Sequence, residues 1–228
     1  MGRHLRSKSQ EPSDVRLVLV SDTHQLHREL DLPDGEIFIH AGDISMLSKS
    51  RAAIADFNEW LRELPYRHKI VVPGNHDFFL EADESKRFLL GNATVLINEA
   101  VEIDGLRIWG SPVTPLYGGA FGMSSADDRR RLYARIPEET DVLVTHGPPF
   151  GILDSAPGTE SHSGDRELLE AVKRIRPKLH VFGHIHGANG LYTTDHTMYV
   201  NAALLGQSGG LDAKPIVLHM RHDQQSHH

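Results

Sequence analysis

Five short polar segments divide this chain, each directly after an apolar run, and no other feature limits its possible folds as strongly. The runs at residues 16–20, 36–39, 69–72, 141–144 and 179–182 have the length and the β-branched or aromatic composition of buried strands. Because strand ends in layered α/β folds converge on one sheet edge, we expect the segments to lie together. They are Asp22-Thr23-His24, Gly42-Asp43, Gly74-Asn75-His76-Asp77, Thr145-His146-Gly147 and Gly183-His184-Ile185-His186.

The five segments supply a set of metal-binding side chains. A single closed site takes about four ligands, so this set is too large for one ion and suffices for two if a carboxylate is shared. Asp43 is our candidate for the shared ligand. Mixed nitrogen and oxygen donors without any cysteine suit Mn, Fe, Zn, Co or Ni better than Ca or Mg, and the choice among them stays open. The candidate ligands are Asp22, His24, Asp43, Asn75, His146, His184 and His186.

The order Asp-x-His, Gly-Asp, Gly-Asn-His-Asp, His and Gly-His-x-His resembles the motifs of the calcineurin-like metallophosphoesterase superfamily. The segments at 38–43, 57–61 and 64–66 are similar to its small branch of metallophosphoesterase-domain proteins, which includes phosphodiesterases. This resemblance implies a mixed α/β (α+β) fold, a four-layer α-β-β-α sandwich with a dinuclear metal site at the sheet edge. It further implies that Asp22, His24, Asp43 and His186 surround one ion, and that Asp43, Asn75, His146 and His184 surround the other.

The predicted centre favours hydrolysis of a phosphoester. Two divalent ions, two carboxylates and one hydroxide leave about one net positive charge, which attracts an anion. Two adjacent metals also clamp the attacking and leaving oxygens of an in-line displacement. The hypothesis is that a metal-bridging hydroxide attacks, that His76 protonates the leaving oxygen, and that Asp77 orients His76.

Four residues are candidates for substrate contact, namely Asn75, His76, Tyr117 and Phe121. The last two belong to residues 111–125, which are rich in glycine, proline and aromatic residues, as recognition loops often are. Simple packing of these two aromatic side chains is the alternative.

The net charge of −7 argues against a general basic surface, so we expect no long nucleic acid as partner and a small anionic phosphoester as substrate. The first hypothesis is a phosphodiesterase for small substrates such as cyclic nucleotides. The alternatives are a phosphomonoesterase for small molecules or phosphoproteins and, as a different class, a metal-binding scaffold without turnover. The oligomeric state stays open, a homodimer included.

Length and composition predict one metallophosphoesterase domain at residues 15–220, with a disordered arm at 1–14 and a tail at 221–228. No apolar run approaches the roughly 20 residues of a membrane helix, so we expect no membrane partner and a cytoplasmic location. Asp104-Gly105 predicts a hairpin. Residues 129–131 predict a solvated helix face, His27 a solvated loop histidine, and His40 and His180 structural roles.

Overall fold

The computed structural model describes residues 14–47, 49–116, 118–206 and 208–221, and it contains eleven strands in this part of the chain. Predicted runs and observed strands agree to within two residues at the five strands that precede the polar segments. The strands are β1 (Asp14–Val20), β2 (Ile37–His40), β3 (His68–Val71), β4 (Thr94–Val95), β5 (Glu99–Ile103), β6 (Leu106–Ser111), β7 (Val142–Thr145), β8 (Leu179–Phe182), β9 (Gly190–Thr193), β10 (Met198–Asn201) and β11 (Ile216–Arg221).

These strands form two sheets, ordered β11-β1-β2-β3-β4 and β5-β6-β7-β8-β10-β9. Strands β1, β2 and β3 run parallel in the first sheet, and β6, β7 and β8 run parallel in the second. Parallel strands present their carboxyl ends at one edge. The Leu204 amide donates to the Ser21 carbonyl at 3.0 Å and so joins the two sheets at that edge.

The helices are α1 (Arg51–Glu63), α2 (Phe78–Glu81), α3 (Ala126–Tyr133) and α4 (Arg166–Ile175), with 3-10 turns at His27–Glu29 and Glu84–Leu90. The side chains of Ser50, Ser125 and Asp165 cap the amino ends of α1, α3 and α4. Within the described residues, no helix is long and apolar enough to cross a bilayer.

Three hydrophobic clusters separate four layers. Alternation along β1 directs Leu17 and Leu19 toward the second sheet and Val18 and Val20 toward α1. The middle cluster lies between the sheets, a second lies under α1, and a third lies between the second sheet and helices α3 and α4. This arrangement confirms the predicted α-β-β-α sandwich.

Some of the sequence predictions need correction at the borders and in the loops. The predicted arm and tail lie outside the described residues at 1–13 and 222–228, but Asp14 and Arg221 are paired strand residues.

The prediction of a solvated His27, in the loop after β1, was wrong. Its ring is buried against Phe57 and Trp60, and its Nε2 lies 3.0 Å from an oxygen of the Asp56 carboxylate.

Arg129 was also wrongly predicted to be solvated. Its guanidinium is buried, donates from Nη1 to the carbonyls of Met123 and Ser124, and brings Nε to 2.8 Å from Asp165 Oδ2. The Nε contact is an ion pair without hydrogen-bond geometry. Since Asp165 caps α4, this pair fixes α3 against α4. Arg130 and Arg131 do lie on the exposed face.

We predict that Arg129→Met lowers the free energy of unfolding by about 3–5 kcal/mol, because it leaves the Asp165 carboxylate buried without its counter-ion. Arg130→Met removes an exposed arginine from the same helix, so its effect should be much smaller. Urea unfolding of both variants measures the difference. Equal losses would contradict the assigned role of Arg129.

Candidate metal centre

The backbone at the carboxyl edge of the sheets is compact enough to require glycine at two predicted positions. Gly42 has φ +111°, and a Cβ there would overlap the His146 ring. A Cβ at Gly183 would overlap Asp22 Oδ2 and the Ser21 side chain. Residues with a Cβ would force the loops after β1, β2, β7 and β8 apart.

The first cluster of donor atoms consists of Asp22, His24 and His186. Nε2 of His186 lies 3.3 Å from Asp22 Oδ1 and 3.2 Å from Nε2 of His24. The other oxygen of Asp22 accepts the His184 amide at 2.9 Å. Asp22 Oδ1 is buried and has no hydrogen-bond partner, so it faces the cluster with its lone pairs unused.

The second cluster consists of Asp43, His146 and His184, and Asn75 joins it. Nε2 of His146 lies 2.7 Å from Asn75 Oδ1 and 3.4 Å from Asp43 Oδ2. The His184 ring packs edge-on against His146 with the centroids 5.1 Å apart. These residues come from loops after β2, β3, β7 and β8.

The Asp43 carboxylate lies between the two clusters. Its Oδ2 is 3.6 Å from Nε2 of His24 and 3.4 Å from Nε2 of His146. Its Oδ1 accepts the His76 amide at 2.8 Å, which fixes the direction of the carboxylate. All seven predicted ligands are therefore brought together, with Asp43 at the position of a shared ligand.

The hydrogen bonds of the histidines test whether this donor set suits cations. Nδ1 of His24 is 3.0 Å from the Ser45 carbonyl, and Nδ1 of His146 is 2.9 Å from the Ala41 carbonyl. A carbonyl only accepts, so each Nδ1 carries a proton, and in the neutral ring that metal binding requires each Nε2 keeps its lone pair. With the rings neutral, lone pairs of nitrogen and oxygen face one another across both clusters. Divalent cations fit such a set.

Electrostatics keeps the two carboxylates ionised. Burial opposes ionisation of Asp22, but the close contact with His186 and the charge of His146 hold its pKa below its usual range. Burial likewise opposes protonation of His146, yet Asp43 and Asp22 raise its pKa to about 9. Burial and the nearby His146 lower the pKa of His184 to about 4.

Two further histidines support the backbone beside the ligands, in agreement with their predicted structural roles. His40 is buried, accepts the Gly42 amide at Nδ1, and has Nε2 2.9 Å from Thr23 Oγ1. His180 is buried and has Nε2 2.8 Å from Thr145 Oγ1. Both therefore hold residues that are sequence neighbours of the candidate ligands.

His76 lies at the open side of the centre. Its ring meets the His24 ring edge-on at 4.7 Å, and its Nε2 is 3.9 Å from Asp43 Oδ2. The side chain is 25% exposed, whereas that of His146 is fully buried. This difference in exposure lets His76 meet a ligand that arrives from solvent.

Asp77 does not orient the His76 ring as predicted. Its carboxylate accepts the amides of Ile44, Ser45 and Gly74 and the Ser45 hydroxyl, and His76 Nδ1 has no hydrogen-bond partner. Burial and the charge of Asp43 raise the pKa of Asp77 to about 6. Asp77 instead ties the loop after β2 to the loop after β3.

Sequence reasoning missed Ser45, which contacts three residues of the centre. It binds Asp77, its carbonyl faces His24, and its hydroxyl also lies 3.0 Å from the His76 carbonyl. Its position two residues after Asp43 was the available signal.

The two predicted aromatic contacts have different outcomes. Tyr117 lies outside the described residues. The Phe121 ring packs against the hydrophobic cluster under α1, which is the packing alternative, and its amide donates to Glu81 Oε1 at 2.7 Å.

Comparisons with known proteins identify relatives of this chain. The profile of the family described as calcineurin-like phosphoesterase matches residues 15–188. Metallophosphoesterase domain-containing protein 1 of Homo sapiens is 37% identical, and the match covers 85% of this chain and 67% of that protein. UPF0046 protein K07C11.7 of Caenorhabditis elegans is 34% identical, with 90% and 75% covered.

A solved structure shows the same fold at low sequence identity. The phosphopantetheinyl hydrolase of Mycobacterium tuberculosis is 15% identical and superposes with a TM-score of 0.58, with 95% of this chain and 99% of that chain covered.

We predict that Asp77→Asn lowers the free energy of unfolding by about 1–3 kcal/mol, because an amide NH₂ would face backbone N–H donors that a carboxylate satisfies. His76→Asn should cost less, since the His76 side chain is partly exposed and its Nδ1 has no partner to lose. Urea unfolding of both variants after treatment with EDTA measures this without any contribution from metal. If the Asp77 variant keeps its full stability, Asp77 does not stabilise the contact between the loops after β2 and β3.

Proposed function

The chain belongs to the calcineurin-like phosphoesterase family, and on this premise we propose that it is a phosphodiesterase for small substrates such as cyclic nucleotides. The class is that of a metal-dependent phosphoester hydrolase. The observation that carries the proposal is the position of Asp43 Oδ2 between two donor clusters, 3.6 Å from one histidine nitrogen and 3.4 Å from another.

The proposed division of ligands follows the two clusters, with Asp43 shared. Asp22, His24 and His186 hold one ion, and Asn75, His146 and His184 hold the other. When bound, two divalent ions stabilise charge on phosphoryl oxygens and lower the pKa of water at the centre. The mixed nitrogen and oxygen donors suit Mn, Fe, Zn, Co or Ni as the bound metal.

His76 is the proposed general acid. Its backbone is held on both sides, because the amide donates to Asp43 Oδ1 and the carbonyl accepts the Ser45 hydroxyl. The ring lies at the open side of the centre, so its Nε2 can give a proton to the leaving oxygen. Asn75 combines two proposed roles, since its Oδ1 faces the second cluster and its Nδ2 would donate to a phosphoryl oxygen.

The charges around the centre favour a diester over a monoester. In the described residues, no hydrogen bond or ion pair joins a lysine or arginine to a candidate ligand or to His76. The two ions, the carboxylates and a hydroxide leave about one positive charge. One charge matches a monoanionic diester, whereas a dianionic monoester would need a further cation.

We predict that the chain hydrolyses bis(4-nitrophenyl) phosphate with a higher kcat/KM than 4-nitrophenyl phosphate. Treatment with a chelator should abolish turnover, and Mn²⁺ should restore it, because the proposed nucleophile is a water that only the bound ions would activate. Absorbance of the released nitrophenol measures both reactions. A higher kcat/KM for the monoester would assign a phosphomonoesterase, and metal binding without turnover of either ester would assign a scaffold.

We predict that His76→Ala keeps the bound metal and loses roughly 10² to 10⁴ in kcat, the usual contribution of a general acid. Asp43→Asn should instead lower the metal content, because it weakens the shared ligand. Elemental analysis and the diester assay separate the two effects. His219→Ala, an exposed histidine of β11, is the matched control and should behave like the unmodified chain. Full turnover by the His76 variant would remove His76 from the mechanism.

A further inference from the structure

A cleft of about 710 Å³ opens beside the first cluster of donor atoms, and the proposed mechanism does not use it. Its volume lies within the roughly 300–1,000 Å³ typical of small-molecule sites. It is lined by Pro157, Gly187, Asn189 and residues 203–206 and 212–216. We call it the Asp212 cleft, after the one carboxylate in this lining.

The backbone places the Asp212 cleft against the metal centre. Gly187 of the lining is bonded directly to His186, so the two Cα atoms are about 3.8 Å apart. The Leu204 amide donates to the Ser21 carbonyl at 3.0 Å, and that carbonyl belongs to the peptide that precedes Asp22. The His186 side chain is 31% exposed, so a candidate ligand next to the cleft is open to solvent.

One residue separates the backbone of Asp212 from the centre. The Leu204 amide is bonded to Ser21, and the Leu204 carbonyl accepts the Asp212 amide at 3.1 Å. With standard backbone dimensions, the Asp212 amide nitrogen is at most roughly 10 Å from the Ser21 carbonyl oxygen. The phosphate and the base edge of a nucleotide are separated by a similar length. A nucleotide whose phosphate lies at the centre can therefore reach Asp212 with its base.

The Asp212 carboxylate is held in place and keeps acceptor capacity for a ligand. Its Oδ2 occupies the space that a Cβ on Gly206 would take, so the carboxylate packs on the bare backbone of that glycine. The Ser208 hydroxyl donates to Oδ2 at 3.1 Å and has only one proton to give. A carboxylate has about four lone-pair positions, so most of them remain for other donors.

The remaining lining adds one cation and aliphatic walls. Lys214 forms no ion pair and no cation–π contact with the residues that the structure describes. Asn189 Nδ2 donates to the Ala203 carbonyl at 3.0 Å and so ties two lining segments together. Apart from Asn189, Asp212 and Lys214, the lining consists of aliphatic side chains and glycine. Such a cleft suits a flat ring with donors and an acceptor on one edge.

Guanine is the base whose edge fits these groups. A carboxylate accepts two parallel N–H donors, and guanine presents N1–H and the N2 amine side by side. Adenine, cytosine, uracil and thymine each place a lone pair beside their N–H donors, which a carboxylate repels. Guanine O6 is an acceptor on the same edge, and it suits the Lys214 ammonium.

We propose that the Asp212 cleft selects guanine nucleotides, with Asp212 accepting N1–H and the N2 amine and Lys214 donating to O6. The inference rests on the proposed function and deepens it, because it names the base within the class of cyclic nucleotides. Asp212 and Lys214 determine specificity and take no part in the reaction itself.

The probes are the 5′-monophosphates of guanosine, inosine and adenosine, and calorimetry measures their binding to the Mn²⁺-loaded protein. The guanosine and inosine nucleotides differ only in the N2 amine, so the ratio of their dissociation constants isolates one contact with Asp212. We expect the inosine nucleotide to bind at least about tenfold more weakly, as the loss of a hydrogen bond to a charged group implies. The adenosine nucleotide should bind more weakly still, because its N1 lone pair faces the carboxylate.

Two variants separate the two contacts. Asp212→Asn keeps the shape of the side chain but places an amide NH₂ against one donor, so the ratio should fall close to one. Lys214→Met should weaken the guanosine and inosine nucleotides alike, because both carry O6, and should leave their ratio unchanged. Asp195→Asn, an exposed aspartate between β9 and β10, is the control and should bind all three probes like the unmodified protein.

The ratio in the unmodified protein is decisive even if a variant fails to fold. Equal affinities for the guanosine and inosine nucleotides, tighter binding of the adenosine nucleotide, or a ratio that Asp212→Asn leaves unchanged would overturn the inference. Hydrolysis of the 3′,5′-cyclic monophosphates of guanosine and inosine is measured separately. The expected binding ratio without hydrolysis would refute only the proposed function, and hydrolysis of both at equal kcat/KM would refute only the selection of guanine.

Discussion

The buried Asp43 carboxylate is the interaction on which the arrangement of the two sheets depends. It comes from the end of β2, holds the His76 amide of the β3 loop, and faces His24 and His146 from the loops after β1 and β7. An ionised carboxylate with almost no exposure costs several kcal/mol unless it is paired and hydrogen-bonded. Its partners come from both sheets, so the carboxyl edges of the two sheets must meet where this charge lies.

The backbone at the same sheet edge adopts an unusual conformation at three candidate ligands. Asp22, Asp43 and His184 have φ values of 55°, 57° and 69°, in the left-handed region that residues with a Cβ rarely adopt. Each such residue costs of order 1–3 kcal/mol and persists only where its surroundings fix it. Here the Asp22 amide donates to the Gly42 carbonyl at 2.8 Å and the His184 amide donates to Asp22. The candidate ligands therefore also fix one another's backbone.

How much of this structure the sequence predicts depends on whether an interaction joins residues that are near or distant in the chain. Strand ends and donor types are local properties, so the strands and the seven candidate donors were predictable from the chain, whereas the four layers were expected from the family resemblance. Arg129 and Arg130 are adjacent and identical, and only the distant Asp165 decides which one is buried. Asp77 is next to His76 in sequence, but the direction of its carboxylate depends on the amides of the β2 loop. Such contacts leave no periodic signal in the chain.

The charge at the centre follows from its donor set. At the centre, two carboxylates balance part of the charge of the cations that the donor set suits, and the part of the chain that the structure describes adds no lysine or arginine contact there. The chain as a whole carries a net charge of −7. Attraction between charges falls with distance and screening over about 10 Å. Local charge at the donor set, rather than the net charge of the chain, therefore governs the attraction of an anion once cations are bound.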